Sequence, residues 1–342
     1  MSHASGVLLL VMLTSLTGSA SATAATYRAA SADDLRAVLP RLRPGDVVEM
    51  GSAYMGDMFL RKGNIGMLRG VILKGGVFRT VRLDDALDVT LEGGRVVMPV
   101  TANTKPFDSA MLFYGPTNLV IRNYEVLTDQ NSGFRKGYGI SIDQRGGGAG
   151  VVIENTHIHD ILSGFRGNTL NDVTLRRVTT DMISGDSFYI GHSSKINFDN
   201  LSCGQYDGVN YNAVHPDCIQ IDEVSGPTTD LRISNLIINQ TGGDPTQWIF
   251  AGTPRNNFRH ARWTITGTRG YGMTYRAISV SGVDGLTISD NVLRTPPNSK
   301  YFTMLAISHS TDVIMSDNVA CYHERKEIKN LQEKRRKTIS CR

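Results

Sequence analysis

The chain has 342 residues, 40% hydrophobic and 20% charged, which is the make-up of a folded protein and excludes a disordered or collagen-like chain. Its 35 glycines with only 7% aromatics point to many tight turns between short strands. The net charge is +4, yet residues 320–342 hold eight Lys and Arg against three Asp and Glu, leaving the body slightly acidic. A nucleic-acid binder carries its basic face on the folded body, so that partner is not expected.

In chain order, residues 1–24 read as a signal peptide. Val7–Leu16 is an apolar run too short to span a bilayer. Ala20-Ser-Ala22 and Ala22-Thr-Ala24 then fit a small-residue cleavage site, although the start carries only His3 as a basic group. No later run reaches transmembrane length, so the expectation is a secreted or periplasmic monomer with no membrane insertion. Ser31–Leu42 should form a short helix, started by Asp33 and Asp34 and stopped by Pro44-Gly45.

A degenerate repeat follows. Leu119-Val-Ile-Arg-Asn123, Val151-Val-Ile-Glu-Asn155, Ile196-Asn-Phe-Asp-Asn200 and Leu231-Arg-Ile-Ser-Asn235 alternate apolar with polar residues and end on Asn. The central apolar positions are Leu73, Leu91, Ile121, Ile153, Leu175, Phe198, Ile233, Ile265, Ile288 and Met315. Period-two alternation means a half-buried strand, and recurrence every few tens of residues means a solenoid. Most central units hold a second strand: Tyr138–Asp143, Asp186–Gly191, Asp217–Asp222, Gln247–Gly252 and Arg276–Ser281. The fold class is therefore all-β, a right-handed parallel β-helix of residues 25–319 with about ten coils. A β-propeller fits less well, because its blades are longer and need four strands. Residues 320–342 form a basic cap or a solvated tail; His323–Lys337 has helical propensity.

The cysteines allow the local pairs Cys203–Cys218 and Cys321–Cys341, with buried thiols as the alternative. His157-Ile-His159 looks like a metal motif, but Asn155 should already have ended its strand, so metal is not expected there.

Over roughly residues 70–320 the chain resembles the pectate-lyase-like β-helix superfamily. Ser184-Gly-Asp-Ser187 and His215-Pro-Asp-Cys-Ile-Gln-Ile221 resemble polygalacturonase motifs, with Pro216 standing where that family has an aspartate. The resemblance implies a carbohydrate-active protein and assigns Asp186 and Asp217 the places of catalytic carboxylates.

Neighbouring coils of a parallel sheet lie about 4.8 Å apart, so equivalent residues stack. The second strands then put Tyr138, Asp186, Asp217, Gln247 and Arg276 in one column, with Tyr189 and Gln220 in an outward column. Asp186 and Asp217 would share a Ca²⁺ or act as an acid–base pair; the alternative is that each bonds turn backbone. His215 could serve as acid or base, Tyr189 as proton donor to a leaving oxygen, and Arg276 as partner of a substrate carboxylate. Gln220, Asp222, His192 and Lys195 complete the expected substrate-binding strip. Arg255, Arg259, His260 and Arg262 add positive charge. The expected substrate is a polysaccharide. The preferred reaction is β-elimination on a uronate polymer, ahead of hydrolysis and of non-catalytic, adhesin-like binding.

Overall fold

The computed structural model describes residues 23–60, 68–130, 135–143, 147–207, 216–240, 246–256, 258–272, 276–296 and 302–340. Nearly all of residues 1–24, together with His215 and Cys341, lie outside them. Among the described residues thirty-two strands form one continuous parallel sheet, each up to the last coil pairing with the strand one coil further on. The sheet winds as a right-handed β-helix with three faces. In the coil that starts at Tyr138, the first face is Tyr138–Asp143, the second Gly148–Glu154 and the third His157–Ile161.

The second face carries the repeat. Leu73, Leu91, Ile121, Ile153, Leu175 and Phe198 stack in register, and Ile233, Ile265, Ile288 and Met315 continue the same ladder. None is more than 1% exposed, so the apolar spacing in the sequence is the core of the solenoid. The residue that ends each strand takes a left-handed conformation, as at Asn123, Asn155, Asn200 and Asn235 (φ between 49° and 58°). Asn tolerates that region better than most residues, which is why it punctuates the repeat.

At the amino end, the expected helix forms over Ala32–Val38 and runs into a 3-10 turn over Leu39–Arg41. The Ser31 hydroxyl caps it by accepting from the Asp34 N–H at 3.2 Å. Leu35 and Val38 are buried and join the core.

The carboxyl end differs from expectation. Instead of a helix, Tyr322–Lys326, Lys329–Lys334 and Lys337–Thr338 form a further coil. Leu331 pairs with Val313 and Glu333 with Met315, extending the second-face ladder. Helix propensity is overridden because the preceding coil offers a full row of backbone partners. Lys329, Lys334, Arg335 and Lys337 are exposed on this coil, and such charges discourage edge-to-edge pairing.

Cys203 and Cys218 form a disulfide, joining the third face to the first; both are fully buried. Among the described residues no helix is long and apolar enough to cross a membrane.

A groove on the first face

Inward positions of the first face hold Ile140 and Ile142, Phe165, Phe188 and Ile190, then Ile219 and Ile221, all buried. Alternation sends the residues between them outward. The outward ladder runs Leu112, Ser141, Arg166, Tyr189, Gln220 and Phe250. Tyr189 and Gln220 thus lie where the sequence placed them, but Arg166 was missed. It belongs to Ser163–Asn168, a first-face strand. Gly167 occupies the inward position that is Ile in the neighbouring coils. A Cβ there would lie 2.4 Å from Leu170 Cδ1, so Leu170 fills the space and the apolar alternation disappears from the sequence.

Arg166 is clamped between two rings. Its Cζ lies 3.8 Å from the Tyr189 ring centroid and 4.8 Å from that of Tyr138. Among the described residues no carboxylate pairs with it, whereas Arg82, further along the same ladder, is held by Asp84 at 2.9 Å. Asp222 lies close enough to the Tyr189 hydroxyl for each to act on the other's ionisation. Burial first, and then the Asp222 charge, push the Tyr189 pKa above its ordinary value, so the phenol stays protonated. For Asp222, burial acts upward, but donors from Ser225, Val224 and Tyr189 outweigh it and hold the group below the usual carboxylate range.

These groups border a cleft of about 450 Å³ lined by Ser109, Tyr114, Tyr138, Arg166, Asn168 and Tyr189, among others. Asn168 is only 6% exposed, and among the described residues its Oδ1 has no hydrogen-bond partner. Gly191 keeps the floor open, since a Cβ there would stand 2.1 Å from that oxygen.

Asp186 and Asp217 do fall on adjacent coils, but not as two open carboxylates. Asp217 is fully buried. Asp186 Oδ1 accepts from the Asp217 backbone N–H at 3.2 Å, the turn-type bond of the alternative reading. Among the described residues no three His, Cys, Asp or Glu converge on a metal position. Arg276 stands at the far end of the column, 3.9 Å from Glu324. His192 is exposed on the corner after the first face, and Lys195 lies on the second face near Asp230, away from the cleft. The supposed cationic cluster is neutralised: Arg255, Arg259 and Arg262 pair with Glu223, Asp284 and Asp230. His260 is buried against Trp263, and desolvation takes its pKa down to about 4. His157 and His159 do share one face, because the strand restarts after Asn155, and their rings stack at 4.3 Å. His159 is bound on both nitrogens, by Asp160 and Glu125.

No protein-family model and no curated protein matches the chain. Solved structures similar to it include an alginate lyase from Paenibacillus sp. strain FPU-7, at 14% identity over 90% of this chain and 99% of that one, with a TM-score of 0.49. The A-module of the Azotobacter vinelandii mannuronan C-5 epimerase AlgE6 matches at 12% identity over 91% and 94%, with a TM-score of 0.45. The catalytic unit of a GH87 α-1,3-glucanase from Streptomyces thermodiastaticus matches at 11% identity over 94% and 70%, with a TM-score of 0.43.

Proposed function

We propose that the protein is a polysaccharide lyase that cleaves a uronate-containing polymer by β-elimination in the first-face groove. One observation carries this reading: a clamped arginine with no carboxylate partner among the described residues, beside a protonated tyrosine, in an open cleft on the solenoid wall. Arg166 would bind the uronate carboxylate and stabilise the enolate-like anion that forms when the adjacent proton leaves. That electron pair becomes a carbon–carbon double bond as the bond to the glycosidic oxygen breaks. Tyr189 then hands its proton to the departing oxygen. For the base that takes the first proton the sequence offers His215, two residues before Asp217.

Hydrolysis is disfavoured because it needs a carboxylic acid that keeps its proton. Asp222, beside Tyr189, is held below the usual carboxylate range and does not supply one. Export through residues 1–24 would bring the protein to such polymers outside the cytoplasm.

The test is incubation with polygalacturonate, alginate and hyaluronan, following the ultraviolet absorbance of unsaturated uronate ends. Rising absorbance supports the lyase. New reducing ends without absorbance would make it a hydrolase, and binding without cleavage would leave a carbohydrate-binding solenoid.

A further inference from the structure

The cleft at Arg166 does not stop at its own wall. A second cleft, of about 380 Å³, lies on the amino-terminal side and shares Asp108, Ser109 and Leu112 with the first. Its lining adds Phe59, Arg79, Thr80 and Arg82. The outward ladder connects the two without a break, because Phe59 pairs with Arg82 and Arg82 with Leu112. From Phe59 to Tyr189 there are five coil steps of about 4.8 Å, roughly 24 Å in all. That step is close to the repeat of an extended sugar chain, so each coil meets about one sugar.

Two aromatic side chains stand out along this path. Phe107, in the first cleft, is 61% exposed and Phe59, in the second, is 52% exposed. A large exposed ring on a groove wall is costly in water and well suited to stacking on the apolar face of a pyranose. Arg79 and Arg82 are already held by Asp57 and Asp84, so this stretch offers rings and paired polar groups where Arg166 has no carboxylate among the described residues.

We infer that the substrate chain extends from Arg166 toward the amino-terminal coils, with Phe107 and Phe59 as stacking platforms about two sugars apart. This rests on the lyase reading of the same groove, and it adds direction and length: recognition is one-sided, and a chain must span about five sugars to reach Phe59.

The experiment is titration calorimetry of the full chain with oligogalacturonates and oligomannuronates of three and of six residues, on wild type, Phe59→Ala and Phe107→Ala. Both rings are solvent-exposed, so folding should survive, and a thermal melt confirms it. Wild type should bind the hexamer on the order of tenfold tighter than the trimer (about 1.4 kcal/mol). Phe59→Ala should cut that gain to below about threefold (roughly 0.65 kcal/mol). A length-dependent gain that both variants retain in full would overturn the inference and leave the lyase reading standing. Failure of every acidic oligomer to bind wild type would overturn the lyase reading itself, and the inference with it.

Discussion

Replacing Arg166 by alanine separates the functional role of the groove from its structural one. In the folded protein the guanidinium has two ring contacts, at 3.8 and 4.8 Å, and among the described residues no ion pair. Two cation–π contacts at a half-buried site are worth about 0.5–1 kcal/mol each, so Arg166→Ala should cost about 1–2 kcal/mol of stability. The expected loss in turnover is larger. A charge-assisted hydrogen bond is worth about 1.5–3 kcal/mol, and a bidentate one to a carboxylate that gains charge in the transition state lies at or above the top of that range. At about 1.4 kcal/mol per tenfold, kcat/KM should fall on the order of 10²-fold. Arg166→Lys keeps the charge but loses the planar fork that stacks and binds in pairs, so it should fall between the two. The assay is the initial rate of unsaturated-end formation on a uronate polymer, with a thermal melt of each variant. A variant that keeps full kcat/KM, or loses activity only in proportion to its folded fraction, would refute the reasoning.

Asp186→Ala should lose about 1 kcal/mol through the missing acceptor for the Asp217 N–H, seen as a lower melting temperature, while the folded fraction keeps its activity. The folded-state pKa of His260 is about 4 against an ordinary 6.5, so between those pH values the unfolded chain binds a proton that the folded chain does not. Stability should therefore fall as the pH drops from about 6.5 toward 4, and His260→Phe should flatten that slope in chemical denaturation. The Cys203–Cys218 bridge spans 15 residues, and opening it should cost about 3 kcal/mol. Comparing melts with and without reductant measures this, and no difference would mean the bridge constrains nothing.

The solenoid was legible because its core repeats: ten apolar positions chosen by spacing fall on one ladder, Leu73 to Met315. Tyr189 and Gln220 were legible for the same reason, since each sits between two inward apolar residues. Arg166 was hidden by Gly167, whose missing side chain is replaced by Leu170 from the next strand, a compensation that no local pattern records. One signal could have found it. Ile153 and Leu175 occupy consecutive coils, so a first-face strand had to lie between them, and Ser163–Asn168 is where it fits. The burial of Asp217 was illegible because it sits where the chain turns the corner into the first face, and strict alternation does not decide direction there. The last coil was hidden by composition. Lys and Glu favour helix in isolation, and only the coil already in place makes Leu331–Arg335 another copy of Val313–Asp317.

The most direct test of the groove as the catalytic site is a crystal structure of Tyr189→Phe with a uronate hexasaccharide, the proton donor removed so that the chain stays intact. The account predicts a sugar carboxylate within hydrogen-bond distance of the Arg166 guanidinium, a glycosidic oxygen over the Phe ring that replaces Tyr189, and the chain running toward Phe59. An oligosaccharide bound on the second or third face, or bound in the groove with its carboxylates turned away from Arg166, would contradict it.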